Sequence, residues 1–229
     1  MSKINELVYD VIEAVRAYSD DSELDERYII YLYNIKRAKY LRQDLNNYLK
    51  TVDNSIQQTL CLGMELVDAT ECSVEYDCSK ILKSKQPLPK PIDLHSKVAI
   101  TKVKPATKLG LPFNFISKDK APYIEHAPFS RAIYSFIDVD NHIYVYSKAE
   151  DYTFLECLTV TGVFEDPLSL SEYSTCCNCE SSTDNTCYNI DESEYPLQPH
   201  YIDLIRDEII RDLLRTSQVP EDKINDSTN

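Results

Sequence analysis

Glycine occurs only three times in this chain of 229 residues, at Gly63, Gly110 and Gly162. That scarcity narrows the possible folds and chemistry. Phosphate-cradling loops need several closely spaced glycines, because only glycine lets the backbone approach a phosphate. A P-loop needs two glycines and a lysine in one short window, and a dinucleotide-binding turn needs three glycines. Neither fits here. The hydrophobic fraction, 43%, is too high for a disordered chain, so the protein buries a core. With 17 tyrosines and no tryptophan, the apolar surface is tyrosine-rich, which suits half-buried interfaces.

Charge is distributed in blocks. Residues 1–79 carry −7, residues 80–120 carry +8 with ten lysines, and residues 121–229 carry −15, for a net −14. Two consequences are open. The folded monomer neutralises itself, or the basic block of one copy meets an acidic surface of the next. No apolar run approaches the roughly 20 residues that span a bilayer, and MSKINELVYD is no signal peptide. The chain is therefore expected to be soluble and made in a cytoplasm, with its eight cysteines reduced.

Periodicity predicts three helices. Ile4, Leu7, Val8, Val11, Ile12 and Val15 make one stripe, with Ser2 as N-cap and the end near Tyr18. A second helix is expected from Ser22 to about Leu49. Leu24, Tyr31, Ala38 and Leu45 form one heptad row of it. Tyr28, Ile35 and Leu49 form the other, interrupted by Arg42. That is the seam of a helix packed on other helices, with Lys36, Arg37, Lys39 and Lys50 outside. A last helix is expected from about His200 to Thr216, with Ile202, Ile205, Ile209 and Leu213 on its stripe, widened by Leu204 and Leu214.

Between the helices the chain reads as β structure. Residues 55–67 suggest a strand pair or a long bent strand. The proline-rich, lysine-rich stretch 80–112 suggests extended edge structure, with a half-buried strand at 97–103. Residues 131–138 and 143–147 predict a hairpin, and 152–164 a further strand. The expected fold class is α+β: a small helical bundle made by the N-terminal helix pair and the C-terminal helix, with an inserted, mostly antiparallel β region. Four regions follow: a helical adaptor core at 1–50 and 199–217, a β-rich insert at 51–170, an acidic, cysteine-bearing loop at 171–198 too polar to bury, and a polar arm at 218–229.

No catalytic residue, metal or cofactor is assigned. Cys176 and Cys179 have zinc-knuckle spacing, Cys187 could add a third ligand and Cys157 or His200 a fourth, but a second paired motif is missing. A surface loop with free thiols accounts for the same residues. Asp138 to His142 opens like a calcium loop but has Ile143 where glycine is required and Ala149 where glutamate is required, so a hairpin turn is expected. His95, His126, His142 and His200 sit in no nucleophile signature. The carboxylate pairs Asp20-Asp21 and Glu165-Asp166 read as exposed turns. The lysine block, interleaved with Phe113, Phe115 and Tyr123, does not make so acidic a chain a sequence reader of nucleic acid.

Residues 4–45, 55–72 and 205–226 resemble tail ring proteins, the portal adaptors, of crAss-like bacteriophages; the stretch 80–200 matches loosely. The resemblance implies a virion structural protein, assembled in the host cytoplasm. It also implies a homo-oligomeric connector ring, twelve-fold like a portal, between the portal protein and the next tail ring and around the DNA channel. It transfers no functional residues. The competing reading is a cytoplasmic, phage-encoded binding or regulatory module without enzymatic activity.

Overall fold

The computed structural model describes residues 3–18, 24–46, 52–68, 80–95, 98–106, 110–120, 123, 132–147, 152–173 and 194–217. Among the described residues three long helices stand out: α1 (Ile4–Arg16), α2 (Glu26–Leu45) and α3 (Pro199–Ser217). The first starts at Lys3, whose backbone N–H donates to Glu6 Oε2 at 3.0 Å, one residue beyond the expected cap. The second starts later than expected, where the Asp25 side chain accepts from the Arg27 N–H.

Seven strands follow in chain order: β1 (Gln58–Asp68), β2 (Lys80–Ser84), β3 (Ile100–Pro105), β4 (Asn114–Phe115), β5 (Tyr134–Ile137), β6 (Ile143–Tyr146) and β7 (Cys157–Gly162). They form one sheet in the order β3-β7-β1-β2-β6-β5-β4. All pairings are antiparallel except β4 with β5, so the sheet is mixed. The sheet curls until its two edges meet: the Phe113 N–H, just before β4, donates to the Val103 carbonyl of β3 at 2.7 Å. The result is a nearly closed, barrel-like sheet.

Its interior follows the two-residue period. Leu60, Leu62 and Met64 of β1, Leu82 of β2, and Leu158 and Val160 of β7 are buried together. The alternate residues of β2, β5 and β6 form a second apolar layer outside, with Ile81, Phe136, Tyr144 and Tyr146. Phe136 and Tyr144 stack there at 5.4 Å.

The expected fold class is therefore corrected. The molecule is a seven-stranded, barrel-like sheet with three helices packed on one another and on it, not a helical bundle carrying inserted strands. Ala38 and Leu41 of α2 share a core with Ile56, Ile92, Ala99 and Val163, so helix and sheet interiors are joined. The physical reason is signal length. A helix displays its stripe over 13 to 20 consecutive residues, whereas most strands here contribute only two or three inward side chains each. Residues 58–68 are one long strand rather than a pair. The lysine-rich 80–84 stretch is the central strand β2, not an edge; only β3 of that region is an edge.

Two glycines earn their places by proximity. A Cβ on Gly162 would lie 2.8 Å from the Ala99 carbonyl oxygen, where β3 enters beside β7. Gly63 sits directly opposite Cys157 in the β1–β7 register, leaving that position without a cross-strand side chain.

Candidate assembly surface

Two backbone carbonyls organise the junction of helices and sheet. Arg37 lies fully buried in α2. Its Nε donates to the Pro196 carbonyl at 2.8 Å and its Nη1 to the Phe164 carbonyl at 2.7 Å. The guanidinium also lies 5.8 Å from the Tyr195 ring centre. Burial pulls its pKa down. Beside it, Asn34 donates to Asp166 and accepts from the Tyr195 hydroxyl. The sequence placed Arg37 on the outer face with the lysines; the structure puts it inside. The segment just before α3, expected to be too polar to bury, likewise buries Tyr195 and Leu197.

A charged clamp ties α2 to α3. Lys36 reaches Glu208 at 2.9 Å and Asp212 at 2.5 Å, and Lys39 reaches Glu208 at 2.9 Å. The Tyr40 hydroxyl adds a third donor to Glu208 at 3.0 Å. Partial burial alone would push the Glu208 carboxyl up. Hydrogen bonds from Lys39, Lys36 and Tyr40 more than reverse that, holding it down at about 2. One turn further along α2, the Tyr201 hydroxyl donates to Asp44, and burial followed by this bond pushes its pKa up to about 12.

These contacts leave one face of α2 uncovered. Its buried ridge runs through Ile29, Tyr33, Arg37 and Leu41, four residues apart. The heptad seam read from sequence lies elsewhere on the helix. Tyr28, Tyr31 and Ile35 remain 49%, 58% and 44% exposed. Leu24 and Leu45 are half-buried, and Ala38 alone among the described seam positions is buried. Part of the seam packs within this monomer, through Leu24, Ala38 and Leu45, while Tyr28, Tyr31 and Ile35 do not. Tyr28 and Tyr31 stack on each other at 6.5 Å. On α3, Leu204, expected to widen the packed stripe, is also exposed.

A family model described as phage tail ring protein 2 matches residues 6–229. The chain belongs to this family. A curated relative, "Ring protein 2" of Bacteroides phage crAss001, is 24% identical over 225 residues, covering 97% of this chain and 95% of the relative. The ring-protein match thus runs through the middle of the chain, where sequence motifs resembled the family only loosely. Membership makes this chain a structural protein of a phage tail.

The other candidates of this tail protein fall in three groups. Cys176, Cys179 and Cys187 lie outside the described residues, and among the described residues no cluster of three or more histidine, cysteine or acidic side chains could hold a metal. Asp138 to His142 is a hairpin turn with Asn141 at φ 59°. Its carboxylates are engaged: Asp138 by Lys118, and Asp140 by Lys83, Tyr144 and the His142 N–H. Glu165 and Asp166 are not free solvating charges either, since Glu165 pairs with Arg42 and Lys90 while Asp166 takes Asn34. Several lysines of the basic block thus find acids within the same chain. Cys61 on β1 and Cys157 on β7 are each disulfide-bonded, against the expectation of reduced thiols. Among the described residues no helix is long and apolar enough to cross a membrane.

Proposed function

We propose that this chain is the subunit of a closed homo-oligomeric ring at the head-to-tail junction of the virion, with the portal protein on one side and the next tail ring on the other. The observation that carries the reading is the family match along residues 6–229. Twelve copies make the ring, matching the symmetry expected of a portal. DNA passes through its centre on ejection. A net charge of −14 suits a conduit, because like charge keeps the duplex from adhering to the wall. Residues 1–50 and 199–217 carry contacts to neighbours, residues 51–170 build the wall, and the arm 218–229 reaches an adjacent subunit or the portal.

Light scattering of the purified chain, alone and mixed with the portal protein of the same phage, tests the placement. The expected result is a portal-dependent complex with near-equal subunit numbers. A mass indifferent to portal would remove the portal from the proposal.

A further inference from the structure

We infer that the outer ridge of α2 is one half of the subunit contact, and that the other half is the groove between α1 and α3 of the next copy of this chain. The inference rests on the ring reading and names the two surfaces that would make the ring. It starts from a helix with two apolar faces. Tyr31 lies roughly 160° around α2 from Tyr33 at 100° per residue. Tyr33 is buried against α1, where its hydroxyl meets the Leu7 carbonyl. The opposite face carries Tyr28, Tyr31 and Ile35 at heptad spacing, the pattern of a helix that packs against another helix. Within the chain Tyr28, Tyr31 and Ile35 stay exposed, because α2 contacts α1 and α3 chiefly through its first face, with Lys39 reaching Glu208 from the edge of the second.

The molecule also presents a receptor for such a ridge. A groove of about 900 Å³ runs between α1 and α3, with Ala14, Ile210 and Leu214 along its apolar part and Tyr18 at one end. No residue of α2 lines it. The α3 residues that bind α2, Tyr201, Glu208 and Asp212, lie on a different face from Arg206, Ile210 and Leu214, which line the groove. Ridge and groove are therefore separate surfaces of the three-helix unit. A contact between two different surfaces so placed is heterologous: it repeats in one direction and closes into a ring when its rotation divides a full turn. A self-complementary patch would stop at a dimer.

Charge favours the same pairing. Arg27 stands before Tyr28 at one end of the ridge, while Lys39 and Arg42 beyond Ile35 are already paired with Glu208 and Glu165 of the same chain. The α1 lip of the groove carries Asp10 and Glu13. The α3 lip carries Arg206, Arg211 and Arg215 with Asp207, and Arg206 is held by Asp203 and Asp207 at 3.5 Å. A ridge entering with Arg27 toward α1 meets acids there. The two tyrosines are stacked before docking, so little side-chain freedom is lost, and each aromatic ring can cover about 150–250 Å² when buried.

The test replaces Tyr31 with the photoreactive tyrosine analogue p-benzoylphenylalanine in the full chain, irradiates the assembled protein, and maps cross-linked peptides. Mixing isotopically labelled and unlabelled chains identifies links between copies. The expected result is an intermolecular link to residues 10–18 or 206–215. In parallel, the double variant Tyr28→Arg, Tyr31→Arg should keep its thermal midpoint and circular dichroism yet need at least about tenfold more protein to assemble. Wild-type rings whose links map elsewhere, or a double variant that assembles normally, would overturn the surfaces and leave the ring standing. A wild-type chain that stays monomeric at every concentration, alone and with portal, would overturn both.

Discussion

The buried Arg37 guanidinium donates to neutral acceptors, two carbonyls from segments far apart in sequence, at Phe164 and Pro196. It thereby pins the end of β7 and the entry to α3 onto one turn of α2. Lysine cannot serve both carbonyls with a planar fork. Arg37→Lys and Arg37→Met are each expected to cost about 1–3 kcal/mol by leaving buried carbonyls without donors, measured by urea unfolding. A loss under half a kcal/mol in both would show that the carbonyls are satisfied otherwise. Arg37 was not legible in sequence, where it sits between Lys36 and Lys39 in an apparently basic face. The ridge that buries it is spaced by four residues, and the neighbouring heptad seam masked it.

At the scale of elements, the α2–α3 clamp depends on ionised Glu208. Its folded pKa, about 2, is below the value near 4.5 of an unperturbed glutamate. A depressed carboxylate stabilises the fold fully above its unfolded pKa, and that stability is lost as pH falls from about 4.5 through about 2. Glu208→Gln keeps the shape and removes the charge. It is expected to lower stability at neutral pH by about 1–3 kcal/mol, the range for hydrogen bonds to a charged group, and by little near pH 2. Thermal melts of both proteins across that window measure the difference, and a gap that does not shrink with acid would contradict the assignment. Helices were the legible elements: the stripes of α1 and α3 were read nearly to their ends because each repeats over several turns. Strands were legible as local alternation and as the β5–β6 hairpin. Their order was not, because pairing β2 between β1 and β6 is decided by a core that no single strand displays.

For the whole molecule, joined interiors make helices and sheet one body, with α2 the shared wall. Buried on one ridge and exposed on the other, α2 can transmit a contact with a neighbour into the sheet core through Ala38 and Leu41. The sequence carried the seam of that exposed ridge legibly; it could not say whether the seam packs inside the chain or against another. The assembly state decides this. Native mass spectrometry of the chain recovered intact from disrupted virions measures it directly. Twelve copies of a 26.4 kDa subunit should appear as one closed species of about 317 kDa. Recovery only as monomer or dimer, under conditions that keep the portal ring whole, would contradict a ring-forming subunit.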